Sequence, residues 1–199
     1  TGLRIATALF EFWYFRGLYT EGRSWLERAL ARPGGRSASH RAEALCAACK
    51  LAASHGDLRA ATALLAEART LAEQSRAPQL RPCIAYAEGL LALAEGEPDR
   101  AASHMERVVE LTDSEPPGQL GLSALALLGF AHEVTGDHEQ ASEYYHKVLA
   151  ITAPRGEVLH RAAALRGLGV AAWRRGEWDR AHELLREAIR INSGLNSAV

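Results

Sequence analysis

Five glycines, Gly17, Gly56, Gly96, Gly136 and Gly176, recur at separations of 39, 40, 40 and 40 residues. A fixed period of this length marks a chain that stacks one supersecondary unit, because each unit buries its apolar face only against its neighbours. The stretches RGLYTEGRSWLERAL, HGDLRAATALLAEAR, EGEPDRAASHMERVV, TGDHEQASEYYHKVL and RGEWDRAHELLREAI all run through their glycine into an amphipathic helical pattern. A second helical pattern precedes each glycine, so the repeating unit is a helical hairpin with a tight turn at the glycine. No useful length alternates with period two, and no sheet is expected.

The repeat has fixed internal positions. Asp57, Glu97, Asp137 and Glu177 directly follow four of the glycines, where a carboxylate meets the unpaired N–H groups of a helix start, and they are read as caps. Five residues beyond these glycines come Ala61, Ala101, Ala141 and Ala181, with Gly22 in the first unit. Four further on lie Leu26, Leu65, Met105, Tyr145 and Leu185, then Ala29, Ala68, Val108, Val148 and Ala188. Small and large residues at this spacing form the buried stripe of each second helix. Gly89, Gly129 and Gly169 recur seven residues before a turn, with Phe10 and Cys49 at the same register. Glycine inside a helix costs about 0.5–1 kcal/mol relative to alanine, so its recurrence implies a tight helix crossing. Linkers rich in breakers fall at Pro33, Gly34 and Gly35, at Pro78 and Pro82, at Pro116 to Gly118, and at Pro154 and Gly156.

In this order of small and large positions the chain resembles the tetratricopeptide repeat. The units Leu168, Gly169, Gly176, Ala181, Leu185, Ala188 and Leu128, Gly129, Gly136, Ala141, Tyr145, Val148 carry the resemblance. It implies an all-α, right-handed superhelical solenoid of about five hairpins in a single domain over 1–199. The hairpins are expected at about 3–33, 40–74, 82–113, 120–152 and 158–193. A period near 40 rather than 34 calls for longer helices or linkers.

Residues 8–31, ALFEFWYFRGLYTEGRSWLERALA, look like the first hairpin after the ATPase and winged-helix parts of LuxR-type and AfsR-type bacterial signal-transduction regulators, the MalT group included. The matching elements are Arg16-Gly17, Glu21-Gly22-Arg23 and Trp25 to Leu30. This resemblance implies the effector-sensing or protein-interaction region of a transcriptional regulator, with ATPase and DNA-binding parts elsewhere in a longer chain. Neither a phosphate-binding loop nor a DNA-binding helix-turn-helix occurs within these 199 residues. Residue 1 is Thr, which fits a fragment. The rivals are a stand-alone scaffold that binds a peptide or partner helix, and a metal-dependent enzyme.

Charge and composition exclude some classes. A net charge of −1 lacks the basic footprint that phosphate-backbone binding needs, so nucleic acid is not expected as a direct partner. Glu88 and Glu95 interrupt the richest apolar stretch, well short of the ~20 residues a bilayer demands. Three cysteines form no disulfide framework and favour a reducing compartment, the cytoplasm. Cys46 and Cys49 make a CxxC, but in an alanine-rich helix they read as small apolar residues, and a three-cysteine metal site with Cys83 is the alternative. His132, Glu133, Asp137 and His138 gather at one turn and are the best metal candidates, against the simpler reading of solvated turn residues. With no nucleophile motif and no phosphate loop, no enzyme activity and no cofactor are expected.

What remains is surface. The first helix of each hairpin in such a solenoid lines the concave side. Counted from the turn glycines, the groove residues expected to bind a partner are Tyr14, Lys50, Tyr86, Leu90, Leu93, Phe130, Arg166, Val170, Trp173 and Arg174, flanked by Thr7, Glu11, Cys46 and Glu133. Its apolar middle suits an amphipathic helix, a peptide or a small amphipathic effector. Some of these side chains will simply pack between hairpins. A second surface is expected on the first helix, Leu3 to Phe15, where Arg4, Glu11 and little else break an apolar circumference. Phe12 and Phe15 are read as the face that docks a preceding domain or a second copy of the chain.

Overall fold

The computed structural model describes residues 2–32, 37–113 and 117–197, with side chains to residue 194. The expected breakers Pro33, Gly34, Gly35 and Pro116 lie outside the described residues. The described residues form eleven α-helices and one short 3-10 turn, with no strand among them, in the arrangement of a tetratricopeptide-like solenoid. They fall into two compact units, Thr1–Leu111 and Thr112–Val199.

Unit 1 contains α1 (Gly2–Ala8), α2 (Phe10–Phe15), α3 (Tyr19–Ala31), α4 (Ala38–Ser54), α5 (Leu58–Gln74), the 3-10 turn Pro78–Leu80, α6 (Arg81–Ala94) and α7 (Pro98–Leu111). Unit 2 contains α8 (Gln119–Thr135), α9 (His138–Thr152), α10 (Leu159–Arg174) and α11 (Trp178–Ser197). All five turn glycines have φ between +68° and +88°, the left-handed region open to a residue without Cβ. In four of these turns the next amide donates to the carbonyl five residues back, as Asp57 N–H does to Ala52 at 2.9 Å, which closes the helix end.

The first helix departs from expectation. Leu3 to Phe15 is broken at Leu9, whose φ of −81° and ψ of 0° separate α1 from α2. The bonds Leu9 N–H to Ile5 O and Trp13 N–H to Leu9 O persist at 3.0 and 3.1 Å, so the break is a local unwinding. Trp13 is thereby buried at 4% exposure against Gly22, where a Cβ would stand 2.8 Å from the indole.

The expected caps also split. Asp57 accepts from Ala60 N–H and Asp137 from Gln140 N–H, each at 3.1 Å. Glu97 pairs instead with Arg100, and Glu177 with Arg175. Each of these glutamates has a guanidinium within three residues, Arg100 in the first turn of α7 and Arg175 just before α11, and the charged pair competes with the backbone N–H groups for the carboxylate.

The buried stripe follows the repeat. Ala61, Ala101, Ala141 and Ala181 are buried, as are Leu26, Leu65, Met105 and Tyr145, while Leu185 is half-buried beside a buried Leu184. The recurring helix glycines sit where the second helix crosses. A Cβ on Gly129 would lie 2.6 Å from the Tyr145 ring, and one on Gly169 2.7 Å from Leu185. In unit 1, α4 packs on α1, α3, α5 and α6, and every residue from Ala44 to Ala53 is buried. A helix covered on all sides needs small apolar residues all round, which explains its run of alanine and cysteine. No helix of the described residues is long and apolar enough to cross a membrane.

Candidate binding surfaces

In unit 1 three expected groove residues converge, one from each hairpin: Tyr14 of α2, Lys50 of α4 and Tyr86 of α6. Lys50 is 7% exposed, and its ammonium lies 3.8 Å from the Phe10 ring centre and 5.2 Å from that of Tyr86. Two ring faces solvate the charge by their quadrupoles. Among the described residues Lys50 makes no ion pair, so its N–H donors are not spent on a carboxylate. Tyr14 lies 5.5 Å from Phe10 and edge-on to Phe15 at 5.4 Å. Burial, then the neighbouring Tyr19, pushes its phenol up, opposed by a hydrogen bond with Ser54. Tyr86 and Leu90 are 5% and 6% exposed and belong to the packed interior of the unit, whereas Leu93 is half-buried. Nothing in the sequence signals Phe10's part: its register is that of the crossing glycines, yet its ring carries the lysine.

Cys46 and Cys49 are buried and Cys83 is half-buried, all as free thiols. A hydrogen bond from Cys46, aided by the Lys50 charge and opposed by burial, holds the Cys83 thiol down to about 7. Burial pushes Cys49 up to about 12.

In unit 2 the expected residues disperse. Phe130 and Val170 are half-buried, and Arg166 is exposed. Trp173, 56% exposed, meets Trp178 edge-on at 6.3 Å. Arg174 turns to the His138 ring, 3.2 Å from its nitrogens, at the mouth of a cleft of about 520 Å³ between α9 and α10. Two of the four metal candidates approach each other, His132 Nδ1 lying 3.9 Å from an Asp137 carboxylate oxygen, and all four have other partners, His138 facing Arg174. Glu133 accepts from the Tyr145 hydroxyl at 2.8 Å, His132 stacks on Tyr144 at 5.5 Å, and Asp137 caps α9. Burial and then the Glu133 bond raise the Tyr145 phenol above its ordinary range. Among the described residues no three His, Cys, Asp or Glu side chains gather as a metal site.

The N-terminal face is an open cavity of about 590 Å³, lined by Leu3, Ile5, Leu9, Phe12, Trp13 and Trp25 and edged by Glu21, Arg28 and Arg32. Ile5 is 61% exposed, Phe12 49% and Trp25 49%. Phe15 is exposed but stands outside this lining, against Tyr14.

Comparison with known proteins agrees with this architecture. A tetratricopeptide-repeat family model matches residues 122–193, which lie in unit 2. No curated protein matches the chain by sequence. Among solved structures, the nearly identical TPR-like repeats of a Podosopora anserina protein assigned as a kinesin light chain align at 21% identity, over 98% of this chain and 97% of the other, with a TM-score of 0.60. BtubC (BKLC) from P. vanneervenii aligns at 20% identity over 100% and 76%, with a TM-score of 0.64. A Rap protein complexed with Competence and Sporulation Factor aligns at 13% identity over 99% of this chain and 56% of the other, with a TM-score of 0.80. At these identities the likeness is one of fold: stacked helical hairpins of the tetratricopeptide kind.

Proposed function

We propose that this chain is a binding module that seats a peptide or partner helix on aromatic and cationic side chains, and that it performs no catalysis. The observation that carries this reading is Lys50. A lysine at 7% exposure, held by two rings and, among the described residues, by no carboxylate, keeps an ammonium ready for an acidic group on a partner. Tyr14, Leu93 and the exposed Trp173 and Arg174 supply the apolar and polar rest of such a surface in their respective units. The Rap structure, solved with the Competence and Sporulation Factor, is a precedent for ligand binding on this fold. The test is selection of peptides on the immobilised chain from a random library, followed by anisotropy titration. Lys50→Met should weaken the selected peptides at least tenfold while the helical spectrum is kept. Peptides indifferent to Lys50→Met, Tyr14→Phe and Trp173→Ala would sink the reading.

The apolar N-terminal cavity favours a second contact, through Phe12, to a second copy or to an upstream domain of the same chain. Sedimentation at high concentration should show association that Phe12→Glu removes; a strictly monomeric chain would defeat it. The finer reading, a cytoplasmic effector sensor in a LuxR-type or AfsR-type regulator, rests on the Arg16 to Leu30 pattern and three free thiols. A phosphate-binding loop and a DNA-binding helix-turn-helix encoded in frame beside this segment would support it.

A further inference from the structure

One residue breaks the glycine rule of the turns. Among the described residues Arg76 is the one non-glycine with positive φ, at +46°. It follows α5 at the position glycine holds elsewhere in the chain, and the closure is the same: Ala77 N–H donates to Ala72 O at 3.2 Å. A branched-at-Cβ or longer side chain is strained in this conformation, and strain that persists is a pointer to use.

The Arg76 side chain lines an open cleft of about 560 Å³ in unit 1. Arg69 from α5, Arg81 from α6 and Arg107 from α7 line it too, against Glu73 and Glu88. Glu88 is already engaged on both oxygens, with Arg69 on one and His104 Nδ1 at 3.1 Å on the other. Burial lowers the His104 pKa, so near neutral pH this imidazole leaves the glutamate's charge to Arg69. Arg76, Arg81 and Arg107 have no ion pair or hydrogen-bonding carboxylate among the described residues. Four guanidinium groups face two carboxylates, a local surplus of two positive charges in a chain whose net charge is −1. The floor between them is apolar, built from Ala72, Ala77, Pro78, Ile84 and Ala85.

We propose that this cleft binds a small-molecule phosphomonoester with an apolar body, the arginines taking the phosphoryl group and the alanine, proline and isoleucine floor taking the body. A phosphomonoester carries a charge near −2 at neutral pH with three acceptor oxygens, which equals the surplus and suits the guanidinium forks. The cleft volume falls in the range of small-ligand sites. Arg76 explains itself in this reading: the strained backbone is kept because no other turn residue would bring a fourth guanidinium to the rim. The site is separate from the Lys50 surface and does not depend on it.

Phenyl phosphate is the probe, titrated calorimetrically into the wild-type chain, with inorganic phosphate testing the head alone and phenylacetate testing a monoanion with the same ring. Saturable millimolar or tighter binding of phenyl phosphate is expected, stronger than either comparison compound and weakened by salt. Arg81→Gln with Arg107→Gln should weaken it at least tenfold. Arg76→Gly should weaken it several-fold while raising the melting temperature, because strain is relieved as a contact is lost. That single variant keeps the test decisive should the double variant fail to fold. No saturable binding in the wild type, equal binding in the variants, or inorganic phosphate and phenylacetate binding as well as phenyl phosphate would each overturn the proposal.

Discussion

The two units run one hairpin plan on different interiors. In unit 2 a single aromatic ring does the joining: Tyr145 of α9 lies against the backbone of Gly129 in α8 and of Gly167 in α10. In unit 1 the matching position is Met105, which crosses Gly89, and the bulk of the core is the small-residue helix α4, buried from Ala44 to Ala53. Both solutions satisfy the same period. Unit 2 trades missing Cβ atoms for one large ring, while unit 1 trades side-chain volume for a helix surrounded on every side. The family model matches within unit 2, where the large residue sits over glycine in the order of the repeat.

The comparison is broken most severely at Tyr145. Tyr145→Ala should cost about 3–5 kcal/mol, since it opens a cavity between two glycine-lined helices that lack side chains to refill it. It also strips Glu133 of its hydroxyl donor. Hydrogen exchange reads the units separately: amides of α8, α9 and α10 should lose protection, and those of α4 should not. Equal loss in α4 would mean that the interiors are not independent. The next largest effect has the opposite sign. Lys50→Met should leave stability unchanged or raise it by about 1 kcal/mol, because a desolvated ammonium with no carboxylate partner among the described residues is exchanged for an apolar chain of similar length. A loss above about 2 kcal/mol in chemical denaturation would show that the Phe10 and Tyr86 rings hold the charge better than an apolar isostere fills the site.

How much of this was legible in the sequence varies by kind of information. The five turns were, because positive φ is written as glycine, and the crossing register was, because close approach is written the same way. Arg76 was invisible for the same reason: its positive φ carries no glycine to announce it. The arginine cleft joins Arg69, Arg76, Arg81 and Arg107, residues from three helices and a turn, whose sequence spacing shows no motif. Counting from a glycine placed Tyr14, Lys50 and Tyr86 on one row, but it did not say that Leu90 lies in the interior or that Phe10 covers the lysine, since cover depends on neighbouring hairpins. The break at Leu9 has no proline or glycine either. It follows from the seating of Trp13 over Gly22, a contact between residues nine positions apart.

A smaller effect separates the three thiols, all of which belong to unit 1. Thiolate is the reactive form, so the half-buried Cys83, held to about 7, should be alkylated by iodoacetamide before Cys46 and Cys49. Its rate should rise through a midpoint near that value and move to higher pH in Lys50→Met, which removes a charge that favours the thiolate. Mass spectrometry of the labelled peptides checks the order, and Cys49 labelled as fast as Cys83 would contradict it.

The smallest expected effect compares the acids that immediately precede α5 and α11, one in each unit. Asp57 accepts from Ala60 N–H at 3.1 Å and from Arg23 Nη1 at 2.9 Å, and these bonds, the backbone one foremost, hold its carboxyl below the ordinary aspartate range. A carboxylate with a lowered folded pKa binds fewer protons than it does in the unfolded chain. Its stabilisation is therefore complete above about pH 4 and fades as pH falls through the lower folded value. Glu177 is also lowered, but by Arg175 two residues earlier in the chain, a local pair that persists in part when the helix unfolds. Asp57→Asn keeps an acceptor for the helix start and removes the charge, so it should flatten the acid limb of the melting temperature against pH while leaving the value at pH 7 within a few degrees. Asp57→Ala should lower the melting temperature at pH 7 as well, and Glu177→Gln should change neither. An acid limb of unaltered slope in Asp57→Asn would show that the cap acts through its shape alone, and that the charge shared with Arg23 contributes nothing to unit 1.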